Sequence, residues 1–253
     1  MPEASSIIYN KLLIDGFDES EILLVDNGSE KVLKPSQANF TLPWNVRFTG
    51  QAFMALTYLL NFFDDNEFLL ISTSARLQNE FNYKKCFERA REKAGNEFGF
   101  ITSGLVGGLT LKNAPGQTFD VERIKLERLY LYQPIAILVT RRLLNICKKY
   151  SAAYFNLELK RGWGIDRELQ FMADLHNIDC FVDRSFSVEW VTNSTHNSGR
   201  ADETADEYWH NAANEMNGFF CKKYSFQWEE IFKKAFNKEL VIDQSGNITS
   251  VAP

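Results

Sequence analysis

Asn156-Leu-Glu158-Leu-Lys160 is the sharpest pattern in the chain whose residue types and spacing fit bond-breaking chemistry. On a strand, side chains two apart share a face, so Glu158 can hold a divalent metal while Lys160 orients a water or stabilises developing charge. Asp120 is the candidate for a further ligand. Chance alone supplies about one such spacing from 20 Glu and 16 Lys in 253 residues, and one occurs.

A strand carrying that pair and followed by a helix and a strand is the arrangement of a metal-dependent nuclease of the PD-(D/E)xK type. The 38 residues between Asp120 and Glu158 are a long interval for it, and the nuclease stands as the alternative reading. Other chemistries fare worse. Glu207 and His210, at i and i+3, make half of a di-metal carboxylate site, but no second Glu-x-x-His completes it, and His176 and His196 lie far off. No Gly-x-Ser-x-Gly marks a nucleophilic serine. Gly99, Gly104, Gly107 and Gly108 lack the spacing and the following Lys-Ser/Thr of a phosphate loop. Cys86, Cys147, Cys180 and Cys221 are more than thirty residues apart, which predicts four buried thiols in a reducing compartment and no disulfide framework. No catalytic or metal-ligating residue is therefore assigned, and the chain reads as a non-enzyme.

The elements that would position these residues are partly legible. Ser5 to Leu13 predicts a short amphipathic helix or arm stopped at Gly16, and Asp26-Asn27-Gly28 between apolar runs predicts a hairpin. Gln51 to Phe63 is apolar almost throughout. The turn residues Asp64-Asp65-Asn66 and the run Phe68 to Ile71 favour two strands about one turn over a buried helix. Phe81 to Lys93 predicts a charged helix ending at Gly95, and Val121 to Tyr132 a half-buried strand. Pro134 to Tyr150 leaves strand and helix open, with strand at its start and helix at its end. Ala153 to Lys160, Ile178 to Val182 and Phe186 to Val191 read as strands; Asp166 to His176, Ala201 to Phe220 and Phe226 to Phe236 read as helices. The tail from Leu240 predicts a small hairpin turning at Ser245-Gly246-Asn247.

Composition narrows the function classes. A net charge of −5 and a pI near 5.4 argue against general affinity for nucleic acid or anionic membrane. No apolar run reaches the length of a membrane span and the start has no basic leader, so a cytoplasmic location is expected and the sequons at Asn27, Asn39, Asn193 and Asn247 are expected to stay bare. Phe is unusually frequent, at 21 of 253 residues, which points to a heavily packed body or to extensive contacts between subunits. Trp44, Trp163, Trp190, Trp209 and Trp228 are too dispersed to predict a stacking platform.

Several segments resemble the cypovirus polyhedrins, which crystallise in infected insect cells around virus particles. They are Tyr58-Leu-Leu-Asn-Phe-Phe-Asp-Asp-Asn-Glu-Phe-Leu-Leu-Ile-Ser72, Tyr83-Lys-Lys-Cys-Phe-Glu-Arg-Ala-Arg-Glu-Lys-Ala-Gly95, Ser185-Phe-Ser-Val-Glu-Trp-Val-Thr-Asn-Ser-Thr-His-Asn197, Phe219-Phe-Cys-Lys-Lys-Tyr224 and Leu240-Val-Ile-Asp243, in family order. The quoted residues make up about one-fifth of the chain; the first forty residues and Gly99 to His176 depart from the family.

The resemblance implies an α+β chain built as a single-domain, jelly-roll-like β-sandwich. Residues 1–40 would form an N-terminal helix arm and hairpin, and residues 41–253 the sandwich body with additional helices. It also implies homotrimers packed in a lattice, virus particles as partners, no membrane and no sequence-specific nucleic acid. Nucleoside triphosphates are held by some members, but no residue pattern here identifies a site for them. Loss of 16 lysine charges and ionisation of 9 Tyr and 4 Cys would carry the net charge from −5 towards −34, so a lattice of such molecules is expected to dissolve at alkaline pH.

Overall fold

The computed structural model describes residues 2–29, 34–106, 126–130, 135–151, 154–191, 203–243 and 245–251. Asp120, His196, Lys31–Leu33 and most of the predicted strand Val121 to Tyr132 fall outside these residues.

A mixed sheet of six strands forms the centre. Its order is β3 (Glu67–Ile71), β7 (Ala136–Thr140), β5 (Phe98–Val106), β8 (Asp179–Trp190) and β4 (Ala75–Leu77), and β6 (Leu126–Glu127) pairs with the first half of β8. Only β5 and β8 run parallel; the other pairs are antiparallel. All five residues of β7 are buried, which explains its unbroken apolar run: a strand covered on both faces has no solvent side to mark with polar residues.

Helices cover both faces. α5 (Ile165–Leu175) packs against β8, and α3 (Tyr83–Ala94) meets the same strand where the Phe87 ring lies edge-on to Phe186. On the α5 side, Gly99 brings β5 against Leu143 of α4 (Arg141–Ser151). α3 forms where its caps demand. The Asn82 side chain accepts from the Lys85 N–H at 3.0 Å, and Gly95 ends the helix at a φ of 76°.

β8 carries a bulge. Ser103 pairs with Asp183 and Gly104 with Ser187, so Arg184 to Phe186 are extra residues on that strand. This explains why the sequence reads as two strands, Ile178 to Val182 and Phe186 to Val191. The bulge drives Phe186 among Phe81, Tyr83 and Phe87. Gly104 lies opposite it, where a Cβ would stand 3.0 Å from the Phe186 carbonyl oxygen, a tight contact.

α1 (Pro2–Ile14) packs on its own body. Ile8 and Leu12 join the core, Lys11 Nζ donates to the Phe81 carbonyl at 2.7 Å and pairs with Asp15, and the Tyr83 N–H donates to Asp15 at 2.9 Å. The Asn27-Gly28 turn follows β1 (Val25–Asp26), whose partner is the parallel β2 (Phe40–Thr41). Gly28, at φ 71°, lets the backbone of Trp44 approach to 2.3 Å of the Cβ position. The tail forms the expected hairpin from β9 (Leu240–Ile242) and β10 (Ile248–Ser250).

Three expectations are corrected. Gln51 to Phe63 lies in a helix, α2 (Arg47–Phe62), not in a hairpin. Ala153 to Lys160 is not a strand; residues 154–160 are bends and turns. Cys221, on α6 (Ala205–Tyr224), is exposed while the other three thiols are buried. The α+β class holds, with α7 (Trp228–Phe236) completing seven helices among the described residues. A second sheet stacked on the first, as a sandwich needs, is not seen among the described residues. No helix of the described residues is long and apolar enough to cross a membrane.

Candidate functional site

α2 is mostly apolar, with large apolar side chains on more than one side. In a single copy only one side of it is inside. Thr49 and Leu56 are fully buried, Ala52, Phe53, Leu59 and Leu60 pack against the core, and the Thr49 hydroxyl donates to the Leu159 carbonyl. Gln51 Nε2 adds a bond to the Val25 carbonyl at 2.7 Å. The opposite side meets solvent with Phe62 72% exposed, Met54 45% and Phe48 43%, and Tyr58 is also exposed. Tyr58 gathers this surface, with ring centroids 4.9 Å from Phe62, 5.8 Å from Phe40 and 6.1 Å from Phe63. Trp44, in the approach to the helix, is 67% exposed. Among the described residues, six of the thirteen exposed large apolar side chains thus fall between residues 44 and 63. Clustering of this kind marks a surface that another molecule covers.

The residues singled out for catalysis do not converge among the described residues. Leu157 is exposed and Leu159 is buried, so the two do not share a face, and Glu158 and Lys160 are both on the surface. Glu158 pairs at 3.4 Å with Lys222, itself exposed. Among the described residues no three His, Cys, Asp or Glu side chains form a group able to hold a metal. Glu207 has a structural task instead: it accepts from the Thr204 N–H at 2.8 Å while its own N–H donates to the Thr204 hydroxyl at 3.2 Å, the capping box that starts α6. His210 is exposed. His176 ends α5 against the Tyr150 ring at 5.3 Å, and burial, followed by the charges of Lys149 and Arg142, keeps its pKa below the usual histidine value.

Sequence reasoning missed two constellations. Trp163, Trp190 and Trp209 meet through Trp209, with centroids 5.1 and 6.2 Å apart, although 46 residues separate the outermost pair in sequence. Beside them Arg161 is held between two carboxylates, Glu203 at 3.0 Å and Glu215 at 3.0 Å. Arg47 and Asn211 also donate to Glu203, each at 3.0 Å, and hydrogen bonding led by Arg161 pulls the Glu203 pKa down to about 2. Tyr208 completes the knot by donating to the Arg161 carbonyl at 2.9 Å. No sequence spacing announces such a cluster, since its members come from α2, the turn before α5 and α6.

A third polar group is buried near α7. Arg128 donates to Asp174 at 2.9 Å and to the Phe236 carbonyl at 3.1 Å, and Gln170 donates to both Asp174 oxygens at 3.0 Å. Burial nevertheless outweighs these bonds and raises the Asp174 pKa to about 6. The cavity beside it, lined by Tyr130, Arg167 and Phe232, has a volume of about 10 Å³, as does one between Cys147 and Glu168. Each has room for a single water. The α2 surface therefore stands out as the feature best suited to meeting a partner. The chain matches no known protein family, no curated protein and no solved structure.

Proposed function

We propose that the protein is a structural occlusion-body protein that assembles with copies of itself into a crystalline lattice in the cytoplasm, embeds virus particles and dissolves at alkaline pH. The observation that carries this reading is the exposed aromatic side of α2, whose last turn from Tyr58 enters the segment Tyr58 to Ser72 that resembles the polyhedrins, although the resemblance implied a hairpin there and the chain forms a helix. A helix of 16 residues with a single charge, Arg47, offers a second copy little electrostatic resistance. The jelly-roll sandwich and the homotrimer belong to the same proposal; a second sheet would have to draw on residues outside the described ones.

The alkaline release is gentler than the sequence arithmetic implies. Burial holds the thiols of Cys86, Cys147 and Cys180 above their usual range, and likewise the phenols of Tyr83, Tyr130, Tyr208 and Tyr224. Tyr9 is raised first by its hydrogen bond to Glu19. Eight of the thirteen Tyr and Cys charges therefore come late, and −26 replaces −34 as the working limit. The alkaline gain in negative charge is correspondingly smaller, and dissolution remains the expected outcome as the pH rises.

Expression in insect cells tests the reading. Micron-sized cytoplasmic crystals are expected, with turbidity that falls as the pH rises from 7 to 11, and Glu158→Ala should leave crystals and midpoint unchanged. A soluble monomer without crystals overturns the proposal, and Mg²⁺-dependent cleavage of nucleic acid abolished by Glu158→Ala would replace it with the nuclease.

A further inference from the structure

We propose that the exposed side of α2 is covered by the α2 of a second copy, packed antiparallel about a twofold axis at Ala55. This rests on the self-assembly reading and names the surface that serves it.

At 100° per residue, Phe48, Met54, Ala55, Tyr58 and Phe62 fall within an arc of about 120° on the side opposite Thr49 and Leu56. Arg47, at the first turn, is the one charged residue of the helix in that arc and is paired with Glu203, so two such surfaces meet with little repulsion. Ala55 is the small residue midway between Phe48 and Phe62, where helix axes can approach to about 8 Å. Setting Ala55 against its own copy sets Phe62 against Phe48 of the second molecule, large beside large at both ends and small at the centre.

The ends of the helix decide orientation and occupant. Beyond its C-terminus stand Asp64 and Asp65, both exposed and neither in an ion pair among the described residues. Beside its N-terminus stands Lys160, exposed, with Arg47, 38% exposed and already paired with Glu203 at 3.0 Å. Lys160 belongs to the turn that runs along the first turn of α2: Thr49 bonds to Leu159, and the Phe48 ring lies 2.6 Å from the Cβ position of Gly162. In the antiparallel register each acidic end meets the basic end of the other copy, and the two helix dipoles also oppose. A parallel pair would bring acid to acid. A twofold contact uses one patch twice, which matches a patch carrying both signs at opposite ends. One helix covers less than the roughly 800 Å² per partner of a typical stable complex, so the contact is weak alone and acts with other lattice contacts.

Cross-linking reads this directly. In a Cys221→Ser background, which removes the exposed thiol, Ala55→Cys is treated with diamide, which takes up the two thiol hydrogens as the disulfide forms. A covalent dimer at least tenfold above that from Lys233→Cys, an exposed site on α7, is expected, and adding Phe62→Asp should remove the excess. Thermal melting confirms that each variant is folded, and sedimentation of the unmodified chain against Phe62→Asp gives a second readout of the same contact. Cross-linking no better than Lys233→Cys, with the unmodified chain still crystallising, overturns the α2 contact and leaves the lattice standing. The same failure with no crystals overturns both. A specific Ala55→Cys dimer without crystals supports the contact and sinks the lattice.

Discussion

Phe186→Ala is expected to destabilise the fold by about 3–5 kcal/mol, the range for deleting a buried phenyl ring. Phe186 is fully buried, and its ring meets Phe87 edge-on at 5.0 Å and Tyr83 at 6.0 Å. The site cannot collapse to fill the gap. Tyr83 is fixed by its hydroxyl, which donates to the Ser187 carbonyl at 2.7 Å, and by its N–H on Asp15, while Phe186 itself sits on the bulge that pairs Gly104 with Ser187. The cavity therefore persists, adding its own term to the lost transfer free energy. Phe186→Leu, which keeps most of the volume, should lose less than half as much. Urea unfolding of the three proteins checks both figures; a loss below about 1 kcal/mol for alanine would mean that the bulge does not bury this ring.

Arg161→Ala is the second large change, expected to cost about 2–4 kcal/mol because it strands two carboxylates that are mostly out of water. The side chains of Arg161, Glu203 and Glu215 are 17%, 14% and 17% exposed. Arg47 still neutralises part of Glu203, which keeps the loss short of a fully buried pair's. The pH dependence carries the signature. Glu203 has a folded pKa of about 2 against an ordinary value of 4.5, so its contribution is complete above pH 4.5 and disappears as the pH falls from 4.5 to 2. Stability of the unmodified protein should fall through that window, and the fall should be shallower in Arg161→Ala. Parallel acid curves for the two proteins would remove Arg161 as the cause.

What the sequence discloses depends on whether its signal is local. α3 is legible because its start and stop are written in side chains, Asn82 accepting from Lys85 and Gly95 taking a positive φ. Pro134 to Tyr150, which the sequence leaves open, resolves into β7 followed by α4. α2 is misread because it lacks those marks: its cap position is Val46, with no side-chain hydrogen bond, and its solvent side carries Phe48, Met54, Tyr58 and Phe62, so that side is not marked by polar residues. The alternation in Asn156 to Lys160 misleads in the opposite direction. It has the period of a strand, but Gly162 and Gly164, both at positive φ, turn the chain into the start of α5 and no neighbouring strand is there to pair with it. The apolar surface of α2 was visible as a Phe excess without an address, whereas the Arg161 knot and the tryptophan cluster are products of tertiary folding alone.

The parallel pairing at the centre of the sheet also governs when the protein can exist. β5 finishes at Val106, but its neighbour β8 begins only at Asp179 and ends at Trp190, so the central ladder joins segments more than seventy residues apart. Such contacts form late, since a long loop must close before any hydrogen bond is gained. On the ribosome, a nascent chain shorter than about 190 residues holds β5 with one edge unpaired and Phe98, Phe100 and Ile101 uncovered. The chain must therefore complete about three-quarters of its synthesis before its sheet closes, and the concentration at which unfinished chains meet one another limits how fast folded protein can accumulate.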